Sequence, residues 1–266
     1  MILPEFNKYE YYLKSVQSPE SDVAFIQEVY KVRAGKLPRI LREDFCGTFA
    51  LCKEWVANNA KNNAIAIDLD SEPLDYGREN ILPQLPVGAR KRLKIVQGDV
   101  MTAKVELADV ICALNFSYFG FKERATLVKY FKRSRQNLAE DGILVVDCFG
   151  GARCYQTSEE ETDHEDEGFS YFWDQDTFNP ITHDAQFYIH FKRKHEAKRE
   201  KVFSYDWRLW SIPELRDMLA DAGFSKTSVY WEGTDEEDGE SGNGIFTRSE
   251  VGDECEAWIA YIVAEK

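Results

Sequence analysis

Five short apolar segments between residues 39 and 148 alternate with amphipathic stretches that are long enough to form helices. The apolar segments span residues 39–43, 64–68, 93–97, 110–114 and 143–148. The stretches between them include residues 50–58, 72–82 and 122–138. Short continuous apolar strands that alternate with helices are typical of a parallel sheet covered on both faces. The spacing therefore predicts a doubly wound α/β fold with a mostly parallel sheet.

The pattern changes after the Gly150-Gly151 pair. Residues 156–168 are acidic and almost free of apolar side chains, so we expect a mobile surface loop there. Polar and apolar residues then alternate in three segments, which favours antiparallel strands. These segments span residues 169–174, 185–193 and 201–210.

The last part of the chain returns to helix and strand patterns. A helix is predicted at residues 212–222, capped by Ser211 and closed by Gly223. Strands are predicted at 228–232 and 257–264, joined by a loop rich in glycine and acids at 233–254. The whole pattern predicts a seven-stranded sheet, with an antiparallel β insertion before the last helix and strands.

Charge and cysteine usage restrict the partners and the compartment. The 47 acidic residues exceed the 33 basic ones, giving a net charge of -14 that repels nucleic acid and anionic membranes. The six cysteines form no CxxC pair, as expected in a reducing cytoplasm. No apolar run approaches the roughly 18 residues of a membrane span, and the N-terminus lacks a signal-peptide pattern. We therefore expect a soluble cytoplasmic protein, either a monomer or a homodimer.

Acidic residues follow three neighbouring strands of the predicted sheet. Glu43 and Asp44 end the first strand, Asp68 ends the second, and Asp99 follows the third. A tight turn around Gly47 follows the first strand and leads into a helix at about Thr48, where backbone N–H groups can receive an anionic group. Unpaired carboxylates at strand ends call for a polar ligand or local partners. The alternative is that these residues are only helix caps and loop acids.

These segments resemble class I S-adenosylmethionine-dependent methyltransferases. Residues 43–48 resemble the acid-x-Gly-Cys-Gly-Thr-Gly loop of that family. Residues 66–70 resemble its Gly-Val-Asp-x-Ser segment, and residues 98–100 are similar to its Gly-Asp-hydrophobic segment. The resemblance implies a Rossmann-like fold, S-adenosyl-L-methionine as the cofactor and S-adenosyl-L-homocysteine as the product.

The resemblance also implies roles for individual residues. Asp68 would hold the ribose, with Leu69 beside the adenine. Asp99 would accept a hydrogen bond from the adenine amino group, with Val100 against the ring. The backbone around the turn would pack on the methionine part, and an acid would face its ammonium group. The residues concerned are Glu43, Asp44, Phe45, Cys46 and Gly47.

Two departures from the family pattern lie in the same turn. Phe45 and Phe49 stand where the family usually has glycine. Two bulky residues are expected to narrow the turn, or Phe45 to cover the methionine end. The choice between Glu43 and Asp44 as the ammonium contact stays open at this point.

Four segments follow from the pattern and the resemblance. Residues 1–36 form an N-terminal helical lid, in which Tyr12 and Gln17 are candidate cofactor contacts or parts of an ordinary docked helix. Residues 37–150 form the cofactor-binding core, residues 151–210 the antiparallel insertion that caps the substrate, and residues 211–266 the helix and β-hairpin that complete the sheet.

Candidate acceptor residues lie at the end of the fourth strand and in the insertion. Asn115 offers a donor and an acceptor beside the cofactor, unless it only forms a turn, and Tyr118 offers a phenol. Aromatic and basic side chains of the insertion predict an acceptor pocket, although such stripes also occur as core packing. These side chains are Tyr171, Trp173, Arg208 and Trp210.

A general base, where the nucleophile needs one, could be His190, Asp147 or Tyr118. His183, His190 and His195 lack the spacing with carboxylates or cysteines of a metal site, so no metal is expected. The chain also lacks the Asn-Pro-Pro-Tyr pattern of enzymes that methylate exocyclic base amines, which again argues against nucleic acid.

Three functions are compatible with the sequence. The first is methyl transfer to a nitrogen or oxygen of a small molecule. The second is methylation of a protein side chain, with the acidic loops at 158–167 and 233–240 meeting a basic partner. The third is non-catalytic binding of an adenosyl compound or of a nucleotide such as NAD, against which the chain lacks a GxGxxG loop.

Overall fold

The structure, a computed structural model, describes residues 5–235 and 242–266. Its helices are α1 (Lys8–Val16), α2 (Pro19–Ala34), α3 (Ala50–Asn58), α4 (Ser71–Tyr76), α5 (Val87–Arg90), α6 (Arg124–Asn137) and α7 (Ile212–Asp221). A π-helical turn at Gly77–Ile81 continues α4, and short 3-10 turns lie at Leu82–Gln84, Ser117–Gly120, Ala152–Tyr155 and Glu165–Glu167. No helix in the described ranges is long and apolar enough to cross a membrane.

The strands form two sheets. The larger sheet contains β1 (Ile40–Asp44), β2 (Asn63–Asp68), β3 (Leu93–Gln97), β4 (Ala108–Ala113), β5 (Leu138–Gly150), β10 (Lys226–Thr234), β11 (Gly242–Ser249) and β12 (Trp258–Glu265). The smaller sheet contains β6 (Ser158–His164), β7 (Phe169–Phe178), β8 (Asp184–Arg193) and β9 (Arg199–Arg208).

The larger sheet has the strand order β11-β10-β12-β5-β4-β1-β2-β3. The five strands β1 to β5 are parallel, and β12, β10 and β11 add antiparallel pairs at one side. Helices α2 and α3 pack on one face through residues such as Ile26 and Trp55, and α6 and α7 pack on the other through Phe131 and Leu219. The predicted Rossmann-like, doubly wound fold is confirmed.

The sheet has eight strands where the sequence predicts seven. The additional strand is β11, which lies in the segment 233–254 that the sequence predicts as a loop. It is an edge strand with mostly exposed side chains, so no apolar pattern marks it. The acidic stretch 236–240 of that predicted loop lies outside the described residues.

The insertion is a separate four-stranded antiparallel sheet in the order β6-β7-β8-β9. The prediction of a loop at 156–168 is wrong for residues 158–164, because they pair with β7 over their whole length. The side chains of β6 are almost all exposed, and its pairing uses backbone groups that any residue carries.

The carboxyl ends of β1 to β5 lie at one edge of the larger sheet, since the strands are parallel. Helix α1 lies near this edge and also contacts the smaller sheet. The ring of Tyr9 lies 5.1 Å from that of Tyr76, the last residue of α4, and 5.8 Å from that of Phe203 on β9. The predicted division into four segments is consistent with these elements and stays a prediction.

Candidate functional site

The turn after β1 is built from left-handed residues. Phe45, Gly47 and Phe49 have φ angles of 59°, 53° and 56°. Phe49 N–H donates to the Cys46 carbonyl at 2.7 Å, which closes the turn, and α3 begins at Ala50, two residues later than predicted. Left-handed backbone strains a residue with a side chain, so surrounding contacts must hold the two phenylalanines.

Each phenylalanine is held by contacts away from the turn. Phe49 is fully buried against Gly77, where an added Cβ would lie 2.4 Å from the Phe49 ring. Phe45 packs against Phe121 and Tyr130, with ring centroids 5.7 Å away in each case. The Phe45 ring thus has aromatic partners within the protein, and its coverage of the methionine end stays a prediction.

The contact between Phe49 and Gly77 predicts an unusual cost for a single methyl group. We expect Gly77→Ala to lower the free energy of unfolding by about 1–3 kcal/mol, because the Cβ would overlap the Phe49 ring and the Thr48 carbonyl oxygen. Urea denaturation measures this change. Gly88→Ala is the matched control, since a Cβ there meets no atom within 4 Å. Equal effects in both variants would refute the packing argument.

Glu43 and Asp44 lie on opposite faces of β1, and their partners decide between them. The Asp44 carboxylate is buried and accepts hydrogen bonds from Arg42 Nε at 2.6 Å and the Tyr130 hydroxyl at 3.0 Å. Asp44 is therefore part of a buried ion pair with Arg42. The structure does not support the prediction that its carboxylate contacts the cofactor. Arg42 Nη2 also donates to the Val100 carbonyl at 3.0 Å, which fastens the loop after β3 to β1.

Glu43 has no cationic partner among the residues that the structure describes. Its side chain is 5% exposed and accepts the Cys52 N–H at 3.2 Å, at the start of α3. Burial raises the pKa of Glu43 to about 8, and the nearby charges of Asp22 and Asp68 add to the shift. A buried carboxyl without a cation can receive an ammonium group.

Asp22 and Tyr261 belong to the same neighbourhood, although the sequence did not single them out. The Tyr261 hydroxyl on β12 donates to Asp22 on α2 at 2.5 Å. Burial raises the pKa of Asp22 to about 6. The available signal was weak, because Asp22 reads as an ordinary acid in the first turn of a helix and Tyr261 as part of an apolar strand.

Asp68 connects the end of β2 to the turn. Its Oδ2 accepts the Gly47 N–H at 2.7 Å, and its Oδ1 accepts the Asp70 N–H at 2.9 Å. Burial raises its pKa, and the two N–H groups oppose that rise. Leu69 beside it is 72% exposed, so its side chain is accessible to a bound ligand. The carboxylate retains lone pairs for two ribose hydroxyls.

The end of β3 lies next to Asp68. Gly98 N–H donates to the Asp68 carbonyl at 2.8 Å, so the second and third strand ends are directly bonded. Asp99 is exposed, and its Oδ1 accepts the Met101 N–H at 2.8 Å. Val100 is buried. The structure thus brings Glu43, Asp68 and Asp99 to one edge.

Tyr12 and Gln17 lie in and just after α1, which packs against the smaller sheet. The Tyr12 ring is 5.0 Å from Phe203, and its hydroxyl forms a hydrogen bond with Tyr205. Gln17 follows α1, and its Oε1 is buried without a hydrogen-bond partner among the described residues. An orphaned buried oxygen at this junction is the type of group that a bound ligand satisfies.

On the acceptor side, Asn115 and Phe116 follow β4 with φ angles of 54° and 56°. Tyr118 is fully buried, its hydroxyl donates to the Asp147 carbonyl at 2.6 Å, and burial raises its pKa well above the ordinary value. Tyr118 is therefore corrected from a base or substrate contact to a structural residue. Its hydroxyl is committed to the backbone of β5.

One face of the smaller sheet carries an aromatic surface. Trp173 lies 6.1 Å from Tyr205 and 6.2 Å from Trp207, and Tyr171 lies on the same face. Tyr205 and Trp207, two residues apart on β9, share this strand face, as their spacing indicates.

Two predicted pocket residues lie elsewhere. Arg208 follows Trp207 and points to the other side of the strand, where its guanidinium lies 3.9 Å from the Trp210 ring. Its Nη1 donates to the Lys122 carbonyl at 3.1 Å. Trp210 is buried in the core beside Leu215 of α7. Both residues are corrected from the acceptor pocket to the packing of α7.

His190 also faces away from the aromatic surface, because it alternates with Ile189 and Phe191. Its Nε2 lies 3.0 Å from Asp174, and its Nδ1 accepts the Lys201 N–H at 2.7 Å. His190 is therefore not placed to act as a base for an acceptor on the aromatic surface. It belongs to a polar cluster on the outer face.

Sequence spacing could not show that Glu159, Asp174 and His190 come together across three strands. Their side-chain atoms lie close enough for a metal ion, but the Lys201 bond occupies Nδ1 and keeps the imidazole proton on Nε2. That nitrogen then has no free lone pair for a metal. Glu159 is also paired with Lys198 at 2.5 Å. The polar atoms of the cluster thus find their partners within the protein, in each other and in Lys198 and Lys201.

No family model and no curated protein matches this chain. Solved structures do match it. A S-adenosylmethionine-dependent methyltransferase from Clostridium acetobutylicum is 16% identical, with 96% of each chain covered and a TM-score of 0.68. DesVI of Streptomyces venezuelae is 14% identical, covering 98% of this chain and 99% of its own, with a TM-score of 0.67.

A third structure is CalS10 of Micromonospora echinaspora, an amino pentose methyltransferase with bound S-adenosylmethionine. It is 16% identical and covers 100% of this chain and 99% of its own, with a TM-score of 0.66. This chain has the methyltransferase fold. The match covers nearly the full length, so the antiparallel sheet and the α1–α2 segment belong to the shared methyltransferase fold as much as the parallel strands do.

Proposed function

We propose that the protein transfers the methyl group of S-adenosylmethionine to an amine nitrogen of a small molecule. The observation that carries the proposal is a set of three carboxyl groups, two buried and one half-buried, near the carboxyl ends of the parallel strands. No ion pair in the described part of the chain includes any of them: Asp22, Glu43 and Asp147. A cofactor with a sulfonium and an ammonium group supplies the positive charge that these groups lack.

The residues present fit that cofactor from end to end. Glu43 would face the ammonium group, Asp68 would bind the ribose hydroxyls and Asp99 the adenine amino group. The orphaned Gln17 oxygen in the lid would gain a partner. When bound, the sulfonium supplies an electrophilic methyl group, and the protein's task is to align the nucleophile with it and exclude water.

An amine is favoured over a hydroxyl as the methyl acceptor. The reason is that none of the described side chains proposed as a base near the end of β4 or in the smaller sheet is free to take a proton. His190 faces outward, the Tyr118 hydroxyl donates to a carbonyl, and both oxygens of Asp147 accept backbone N–H groups. A neutral amine attacks without a base, whereas an alcohol must lose its proton. The aromatic surface around Trp173 and Tyr205 also suits the developing ammonium ion.

Thermal denaturation with ligands tests cofactor binding. At about 100 times its dissociation constant, S-adenosylhomocysteine should stabilise the protein by about 2.7 kcal/mol, which raises Tm by about 5–10 °C. NAD should have no effect. Mass spectrometry then compares methyl transfer to libraries of amines, phenols and lysine peptides. Absence of stabilisation by S-adenosylhomocysteine would refute the proposal, and methylation of peptides alone would move it to protein side chains.

A further inference from the structure

The turn after β4 has an unusual backbone. Asn115 and Phe116 are consecutive, and both have left-handed φ angles, of 54° and 56°. Asparagine tolerates this conformation, but an aromatic residue does so only when its surroundings impose it. The two residues lie at the end of a strand that neighbours β1, and therefore beside the proposed methionine end of the cofactor.

A single residue imposes this conformation. Asp147 Oδ2 accepts the Asn115 N–H at 2.6 Å, and its Oδ1 accepts the Phe116 N–H at 2.9 Å. The carbonyl of Asp147 also accepts the Tyr118 hydroxyl at 2.6 Å. Successive N–H groups that converge in this way form a concave site for an anion. Here the anion is a carboxylate of the protein itself.

The turn also shapes the acceptor side. The Phe116 ring lies 4.6 Å from Phe149 and 6.2 Å from Trp207, so it continues the aromatic surface of the smaller sheet towards the strand ends. Moving the turn would therefore displace the acceptor surface and Asn115 together.

We propose that Asp147 is a positioning residue for methyl transfer, whose ionised carboxylate holds Asn115 and Phe116 in the geometry that the acceptor requires. The inference rests on the proposed function. It gives Asp147 a role other than that of a base, since both of its oxygens are already hydrogen-bonded. Protonation would weaken the two N–H bonds and release the turn.

The environment places this protonation in an accessible pH range. Burial raises the pKa of Asp147 to about 7, and the two N–H groups oppose the rise. Among the described residues, the groups that interact with it are acids or neutral side chains from six elements: Asp22 on α2, Tyr12 on α1, Cys112 on β4, Tyr118 in the following turn, Cys148 on β5 and Tyr261 on β12. The carboxylate form dominates above about pH 7, so activity rises with pH through that region.

The test is the pH dependence of kcat at saturating S-adenosylmethionine. We expect wild-type kcat to fall on the acidic side of about pH 7. Asp147→Asn removes the titration and one of the two acceptor oxygens, so its kcat should be about 10- to 100-fold lower, and its pH profile should lose the step near pH 7 and keep only the titration of the acceptor amine itself. Its stabilisation by S-adenosylhomocysteine, which lacks the sulfonium charge, should fall by much less than its kcat, because the main loss is in the position of the acceptor.

Asp109 provides a matched control. Its Oδ2 accepts two successive backbone N–H groups, from Arg39 at 2.6 Å and Ile40 at 2.9 Å, but at the start of β1, away from the functional edge. Asp109→Asn should keep the wild-type pH profile and a kcat within about twofold of wild type, whatever its stability.

Three results would overturn the inference. One is a wild-type kcat that stays flat on the acidic side of neutrality, which needs no variant to be folded. Another is a step near pH 7 that persists unchanged in Asp147→Asn, and the third is a loss of cofactor binding equal to the loss of kcat. If S-adenosylhomocysteine binds and an amine is methylated in any of these cases, the proposed function stands and only the role of Asp147 falls.

Discussion

Replacement of Asp68 by alanine is expected to weaken S-adenosylhomocysteine binding by at least about 100-fold. The variant would lose the two charge-assisted hydrogen bonds that the Asp68 carboxylate is proposed to form with the ribose, each contributing about 1.5–3 kcal/mol. It would also lose its bonds to the Gly47 and Asp70 N–H groups, which order the turn that receives the methionine part. Isothermal titration calorimetry at neutral pH measures the dissociation constant directly.

The control for this loss is Asp75→Asn, which removes a charge of the same sign from an exposed ion pair with Arg78. It should leave the dissociation constant within about twofold of wild type, as expected for a surface charge. Asp68→Asn keeps one acceptor and should fall between the two. Unchanged affinity in folded Asp68→Ala would show that the strand ends do not converge on an adenosyl ligand.

The second large effect is a pH-dependent preference for S-adenosylmethionine over S-adenosylhomocysteine. The two differ by a methyl group and the positive charge that it gives to sulfur. The proposed function places this charge near Glu43, Asp147 and the half-buried Asp22, whose pKa values are raised to about 8, 7 and 6. As these groups ionise, the ratio of the two affinities should rise by about 10- to 100-fold between about pH 6 and about pH 8. Competition titrations at several pH values measure the ratio.

The same three carboxyl groups should make the ligand-free protein less stable as the pH rises. A carboxyl whose pKa is raised on folding contributes stability below its unfolded pKa and loses it as pH rises through the folded pKa. The ligand-free Tm should therefore decrease from about pH 4 towards about pH 8, while the shift given by S-adenosylmethionine grows.

Glu43→Gln isolates the group that titrates highest. The variant should lose the upper part of the rise in the affinity ratio, and Glu79→Gln, a change at an exposed position, should preserve it. A ratio that does not vary with pH in the wild type would mean that these acids do not surround the sulfur.

The parallel strands β2, β4 and β5 could be predicted because their central residues are buried on both faces and read as apolar runs. The predicted ranges for β2 and β3 end at the observed residues, Asp68 and Gln97, which is why the acids at the strand ends were found. Edge strands β6 and β11 could not be found in this way. Their pairing uses backbone hydrogen bonds while their side chains stay in water.

Some of the site could have been predicted better. Arg42 lies two residues before Asp44, so strand alternation places them on one face and leaves Glu43 on the other. The same alternation separates His190 from Ile189 and Phe191. By contrast, the partners of Phe45 and Phe49 come from distant segments, and no local pattern shows that such residues will adopt left-handed backbone.

The pairing of Phe49 with Gly77 means that the missing glycine of the loop is present after all, 28 residues later in the chain. The larger side chain at position 49 is compensated by the absence of a side chain at position 77. The backbone of the turn can therefore keep its path although the glycine is at a different position in the sequence. A sequence pattern that demands a small residue at the loop position passes over chains of this kind. One that scores the two positions jointly would retain them.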